Sequence, residues 1–293
     1  MSAAAGLDVV IVSWRCEALL RHCLASLHDH PAEVATRVRV VDNASNDGTA
    51  EMVAAEFPEV ELTVNTENLG FSAANNVALR RSEADYVLVL NPDTRLTEGA
   101  LDALLGLLAA KPEVGICGPR LERPDGSFDH ASRRSFPTPL SALGHFSGIG
   151  RRLDSGPLAA YRAPDVERGP VDAVNGAFML IRRAALEQVG LFDEGYWMYM
   201  EDLDLCYRFK QAGWEVWFEP GVTVVHEKAG TTGALRSPQL NRAFHGGMLR
   251  FYRAHYAADR PMIVNGAVYA AIGMKLAAST LRAGIGRALA RFR

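Results

Sequence analysis

Acidic residues are nearly missing from the end of the sequence: from Arg236 to Arg293 there is one, Asp259, against ten lysines and arginines. The part before it has the opposite bias, 33 acids against 21 basic residues, and the whole chain carries a formal net charge of −3. An acidic body with a basic tail directs the tail toward an anionic surface such as lipid headgroups or nucleic acid. No aromatic stacking platform accompanies the tail, so nucleic acid is not the expected partner. Cysteines are few (Cys16, Cys23, Cys117 and Cys206), with no CxxC pair and no Cys/His run at zinc spacing. That excludes a zinc-finger or dithiol reading and leaves buried free thiols in a reducing compartment. The first strand-like run is followed by SWRCEALL, which contains no glycine. A GxGxxG dinucleotide site and the Gly-rich phosphate loop of a nucleotidyltransferase are both missing where they would be needed. The opening residues, MSAAAGLDVV, have no basic stretch before the first apolar run and do not read as a signal peptide. No internal repeat is visible.

Apolar residues make up 48% of the chain and charged residues 22%, which excludes extensive disorder. Strand-like and helix-like periods alternate over the first ~120 residues. Strands are expected at Val9 to Ser13, Val38 to Val41, Val60 to Val64, Tyr86 to Leu90 and Val114 to Gly118. Helices are expected between them at Glu17 to His28, Thr49 to Glu56, Ser72 to Arg80 and Gly99 to Ala110. This alternation implies an α/β fold with a doubly wound, mostly parallel sheet, whose ligands bind beyond the carboxyl ends of the strands. Ser13, Asp42 and Asn91 to Asp93 fall at such ends. Pro124 to Pro170 reads as loop. Strands resume at Val171 to Val174, Phe178 to Arg182, Glu215 to Phe218 and Thr223 to Val225, with a helix at Glu201 to Ala212. Beyond Pro238 the chain reads as helical. Met262 to Leu281 has a single charge, Lys275, but Asn265, Ser279, Thr280 and several Ala and Gly weaken a spanning reading. An interfacial helix with basic flanks fits better, with packing on the body as the other reading. Residues 1–235 are expected as the catalytic domain and 236–293 as a helical, basic C-terminal extension.

Five segments carry candidate chemistry, and each also has an ordinary structural reading. In VVDNASNDGT, Asp42 and Asn43 end a strand; they suit a ribose or base, or else Asp42, Asn43 and Asp47 bond their own turn. In ENLGFSAANN, Gly70 allows close approach of a ligand, and Asn75 and Asn76 suit a base or phosphate; the alternative is a helix start. In YVLVLNPDTRL, Asn91 and Asp93 reach the sheet edge, where a carboxylate can seat Mg²⁺ or Mn²⁺ bridging a diphosphate; the alternative is an Asn-Pro turn. In YWMYMEDLDLCYRFKQAGW, Glu201, Asp202 and Asp204 open a helix. The macrodipole favours acids there, yet repulsion among three would raise at least one pKa, as suits a general base. His226 ends a strand and gains meaning only if it lies near Asp93.

In this order the motifs resemble the family 2 glycosyltransferases of GT-A (Rossmann-like) fold, over roughly Asp8 to Gly230, and within them the bacterial rhamnosyltransferase-like branch. The resemblance implies an inverting, metal-assisted transfer of a sugar from a nucleoside diphosphate donor. Ser13 and Asp42 would contact the nucleoside, with Asn43, Gly70, Asn75 and Asn76 as further donor contacts. Asn91-Pro92-Asp93 stands where the family has its DXD motif, with Asn in place of the first acid, so Asp93 carries the metal with His226. Glu201-Asp202 matches the acidic pair, with Asp202 as base; Gly176, Ala177 and Trp197 mark the acceptor side. The implied donor is a deoxythymidine or uridine diphosphate sugar, with rhamnose favoured. The implied acceptor is a glycan or polyprenyl-linked glycan of cell-envelope synthesis, met by a cytoplasmic enzyme peripheral on the inner face of the plasma membrane. An inactive nucleotide-sugar-binding scaffold and a nucleotidyltransferase are the competing readings.

Overall fold

The computed structural model describes residues 6–138, 166–227 and 237–290, with side chains to 283. Much of the expected Pro124 to Pro170 loop and the end of the tail lie outside the described residues.

Four parallel strands, β1 (Gly6–Ser13), β2 (Ala35–Asp42), β3 (Glu61–Val64) and β4 (Tyr86–Leu90), stand in the order β3-β2-β1-β4. The sheet continues through β10 (Phe178–Arg182), β6 (Val114–Glu122), β11 (Glu215–His226) and β5 (Thr94–Arg95), and β8 (Gly169–Val171) adds to β11. Strand β10 is antiparallel to both β4 and β6, while β6 and β11 are parallel. A two-stranded ribbon pairs β7 (Arg133–Arg134) with β9 (Ala173–Val174).

Alternation along the strands fills both faces. Leu7, Val9 and Ile11 of β1, Leu88 and Leu90 of β4, and Leu180 of β10 join one core with α1 (Glu17–Asp29), α2 (Thr49–Glu56) and α4 (Ala100–Ala110). Val10, Val87, Val89 and Ile181 join the other with α3 (Phe71–Leu79), α5 (Arg183–Val189) and α6 (Glu201–Gln211). Near-continuous apolar strands follow because both faces are covered. All four cysteines are buried and free, and burial raises the pKa of each.

Four details differ from the sequence expectation. The single strand expected at Val171 to Val174 is divided between β8 in the main sheet and β9 in the ribbon. The two short strands expected after Trp214 are one strand, β11, with a register break between Glu219 and Thr223 where Pro220 cannot donate to the ladder. The expected loop contains β7. The two-residue strand β5 was too short to leave a periodic signal.

Helix α7 (Pro238–His255) belongs to the body. Phe251 is buried in the second core, His255 Nε2 lies 2.7 Å from Asp204 Oδ1, and Arg250 pairs with Asp193. Helix α8 (Met262–Ala290) packs on α7 through its polar side chains. Asn241 bonds Ser279 and Thr280, Tyr252 bonds Asn265, and Lys275 is half-buried. Apolar side chains join this contact, with Val264, Val268, Tyr269, Ile272 and Leu276 half-buried, while Met262, Ile263, Met274 and Leu281 are exposed. Met262–Ala283 is long and apolar enough to cross a membrane, and none of that stretch is buried.

Phe251→Ala is expected to cost about 3–5 kcal/mol of unfolding free energy by chemical denaturation. A loss under about 1 kcal/mol would mean that α7 is not part of the body.

Candidate active site

The candidate residues gather at the carboxyl edge of the sheet. Ser13 and Asp42 are register partners at the ends of β1 and β2. Both are buried, Ser13 Oγ lies 3.2 Å from Cys16 Sγ, and the Asp42 carboxylate accepts from the Ser45 hydroxyl and amide. The loops beyond them hold Arg15, Ala44 and Asn46 at positive φ, conformations that cost non-glycine residues about 1–3 kcal/mol each and cluster at functional edges.

Several expected donor contacts have their side chains engaged inside the protein. Asn43 donates to Asn68 Oδ1 and the Gly70 carbonyl and accepts from Asn65 and the Leu69 amide, so it ties two loops together. Asn76 donates to the Phe192 carbonyl and Glu194 and accepts from the Phe192 amide. Gly70 has φ +83, and a Cβ there would lie 2.3 Å from the Trp197 carbonyl oxygen. The close approach it permits is therefore to the protein's own chain: the Phe71 amide donates to that carbonyl at 2.7 Å. Asn75 donates to its helix at Phe71, and its buried Oδ1 has no hydrogen-bond partner.

The third segment meets His226 through the sheet. Strand β5 starts just after Asp93, and its Thr94 is the register partner of His226. His226 Nε2 is thereby 3.4 Å from Asp93 Oδ1, and Nδ1 is 3.8 Å from Asp129 Oδ2. All three residues are buried. Burial alone would lower the His226 pKa, but Asp129 and Asp93 outweigh it and raise it to about 9. Asp93 Oδ1 and His226 Nδ1 lack a hydrogen-bond partner. Among the described residues no three His, Cys, Asp or Glu side chains form a ready metal cage. Mg²⁺ and its like are commonly held by one or two carboxylates completed by phosphate and water; Asp93 fits that role, with His226 as a softer nitrogen donor beside it.

The acidic pair opens α6 after Tyr199 and Met200, both at positive φ. Glu201, Asp202 and Asp204 are buried. Burial, reinforced by Asp202, pushes the Glu201 carboxyl well above its ordinary pKa, and its Oε2 has no hydrogen-bond partner. Asp202 Oδ2 accepts from the Gly176 amide at 3.0 Å and Arg134 Nη2 at 2.6 Å. The amide of Asn91 donates to the Ala177 carbonyl at 2.9 Å. The Gly176–Ala177 turn thus joins the end of β4 to the acidic pair, while Trp197 packs on Gly70. Asp204 is committed elsewhere, to Arg208, Tyr196 and His255. Sequence reasoning missed Asp129 and Arg134, which lie in a segment without periodicity and reach the site only through long-range contacts.

A mixed α/β sheet with a diphosphate-compatible edge and an acidic pair across one turn defines a GT-A-type glycosyltransferase fold. Residues 4–246 match the family model "Glycosyltransferase like family 2", and the chain belongs to that family. The N-acetylglucosaminyl-diphospho-decaprenol L-rhamnosyltransferase of Mycobacterium tuberculosis is 36% identical over 253 residues, 82% of this chain and 81% of that protein. Two solved structures share the fold at low identity. GalNAc-T7 with UDP, GalNAc and Mn²⁺ has a TM-score of 0.62 at 15% identity, over 86% of this chain and 48% of that one. The mannosyltransferase PcManGT from Pyrobaculum calidifontis, in complex with GDP-Man and Mn²⁺, has a TM-score of 0.60 at 19% identity, over 99% and 81%.

His226 holds its proton to about pH 9 in the folded chain, whereas an unfolded imidazole releases it near ~6.5. Its pairing with the two carboxylates therefore stabilises fully below about pH 6.5 and is lost as pH rises toward 9. In metal-free protein, unfolding free energy should fall across that window, and His226→Gln should remove most of the fall. Equal slopes for the two proteins would remove this pairing from the account.

Proposed function

We propose that the chain transfers a sugar, with rhamnose favoured, from a deoxythymidine or uridine diphosphate donor to a hydroxyl of a polyprenyl-diphosphate-linked glycan acceptor in cell-envelope synthesis, inverting the anomeric centre. The carrying observation is the turn Gly176–Ala177, bonded on one side to Asn91 at the donor edge and on the other to Asp202. It sets a candidate leaving-group site and a candidate base across a single strand end. The relative that acts on a decaprenyl diphosphate-linked sugar supports the choice of acceptor and sugar.

In this reading Asp202 accepts the proton as the acceptor hydroxyl oxygen bonds to the anomeric carbon. The bond from that carbon to the diphosphate oxygen breaks, its electron pair leaves with the nucleoside diphosphate, and attack from the opposite face inverts the configuration. Proton abstraction of this kind contributes ~10²–10⁴-fold. Asp93 and His226 would hold Mg²⁺ or Mn²⁺, which neutralises charge on the departing diphosphate when bound. A proton on His226 Nδ1 directed at Asp129 leaves Nε2 on the Asp93 side for that ion. Ser13 and Asp42, at the ends of adjacent strands, would line the nucleoside side, and Trp197 the acceptor side.

Residues 1–235 would act as the catalytic unit, with α7 docked on it and α8 meeting the membrane. Helix α8 meets α7 with a mixed polar and apolar face and leaves Met262, Ile263, Met274 and Leu281 exposed, an apolar surface suited to lipid and costly in water. The 22 residues of Met262–Ala283 extend about 33 Å, against a hydrocarbon core of about 30 Å. Arginines flank both ends. This supports attachment at the inner face of the plasma membrane.

Nucleoside diphosphate release from a panel of nucleotide sugars, with membrane extract as acceptor and with or without Mg²⁺ or Mn²⁺, tests the proposal. Metal-stimulated release from one donor is expected, and Asp202→Asn should lower turnover by about 10²–10⁴-fold while keeping donor affinity. Donor binding without release, in the presence of active acceptor extract, would favour a scaffold.

Removal of residues 262–293 should abolish co-sedimentation with anionic liposomes while leaving the unfolding midpoint of the body nearly unchanged. Equal liposome binding by the truncated and full chains would refute a membrane role for α8.

A further inference from the structure

Asp202 has an arginine against it that comes from neither its own helix nor the main sheet. Arg134 stands on β7, opposite Ala173 of β9, and its Nη2 donates to Asp202 Oδ2 at 2.6 Å and to the Val174 carbonyl at 2.7 Å. The paired side chains are 13% and 11% exposed. The same Oδ2 takes the Gly176 amide, whereas Oδ1 takes only the amide of the next residue, Leu203, at 2.8 Å. Oδ2 is thus filled by two donors, one of them charged, and Oδ1 retains the accepting capacity.

Two opposing demands meet at this carboxylate. Burial beside Glu201 drives a carboxyl toward its protonated, useless form. A buried cation reverses that drive, at the cost of some basicity. Among the described residues the other charged groups near Asp202 do not supply the cation. Glu201 and Asp204 are acids, His255 and Arg208 are paired with Asp204, and Lys210, two turns along α6, is paired with Asp172. Gly176 offers a neutral amide.

We propose that Arg134 is the positioning residue of the base, holding Asp202 ionised and turned so that Oδ1 receives the acceptor's proton. This rests on the assignment of Asp202 as base. It gives the β7–β9 ribbon a task that its length would not suggest: two residues of pairing carry a guanidinium to the carboxylate of Asp202.

The test uses the full chain, kcat profiles from pH 5 to 9 with membrane extract as acceptor, nucleoside diphosphate affinity and the unfolding midpoint. Arg134→Gln should lower the midpoint, because it removes one partner of a buried pair, but stay folded at assay temperature and keep the affinity. Its kcat at pH 7 should fall about tenfold or more, and the acid limb of its profile should move up by about one pH unit or more. Arg134→Lys, which keeps the charge, should return the limb to the wild-type position and recover part of kcat. An unmoved limb in Arg134→Gln overturns the proposal, as does a loss of kcat matched by an equal loss of affinity. If Arg134→Gln does not fold, a displaced limb in Arg134→Lys overturns it and a wild-type limb supports it. Asp202→Asn, run in parallel, separates the two assignments. Retained turnover there removes the base, whereas collapsed turnover with an unmoved Arg134→Gln limb removes only the role of Arg134.

Discussion

An antiparallel strand, β10, is wedged between β4 and β6 in a sheet that otherwise keeps its central strands in one direction. A parallel strand in that slot would leave its carboxyl end at the edge. This one begins there, so the turn that enters it, Asn175 to Ala177, lies beside Asn91. The turn cannot drift, because Asn91 bonds to Ala177 and the Asn175 side chain caps the Ala177 amide. The contact between the end of β4 and the acidic pair hangs from this reversal. Gly176 meets Asp202 because the strand starts at the edge, and a Cβ at Gly176 would already stand 3.3 Å from Asp202.

The electrostatic plan repeats a single device. Buried acids are brought together at the edge, where repulsion and desolvation oppose ionisation, and basic side chains are set against them. His226 serves Asp93 and Asp129, Arg134 serves Asp202, and Arg208 with His255 serves Asp204. Glu201 Oε2 has no hydrogen-bond partner, and burial, reinforced by Asp202, raises the pKa of its carboxyl.

The parallel half of the fold was legible because each strand and helix states its period locally. Thr49–Glu56 is read to the residue, and the position of Ser13, Asp42 and Asp93 at the carboxyl edge follows from polar residues at the ends of apolar strands. What was hidden depends on pairing at a distance. Nothing near His226 announces Asp93; the link is the two-residue strand β5. Gly70 was rightly read as a place of close approach, but sequence cannot say whether ligand or protein approaches, and here it is Trp197. Asn43 and Asn76 looked like ligand contacts because unpaired amides and amides bonding distant loops are written with the same letter. Arg134 lay in a segment whose composition signals only irregular backbone.

Among the described residues, five other than glycine sit at positive φ: Arg15, Ala44, Asn46, Tyr199 and Met200. All five lie in turns at the same edge, in a chain that uses glycine 26 times. Thermostability engineering would reach for these positions first, since glycine there relieves strain. Yet a residue with a Cβ narrows the choices open to its turn, and glycine would widen them. Gains made at Tyr199 or Met200 would loosen the entry to α6, and with it the aim of the acidic pair. The margin for stabilising this enzyme without slowing it lies in its helices and cores, away from the edge.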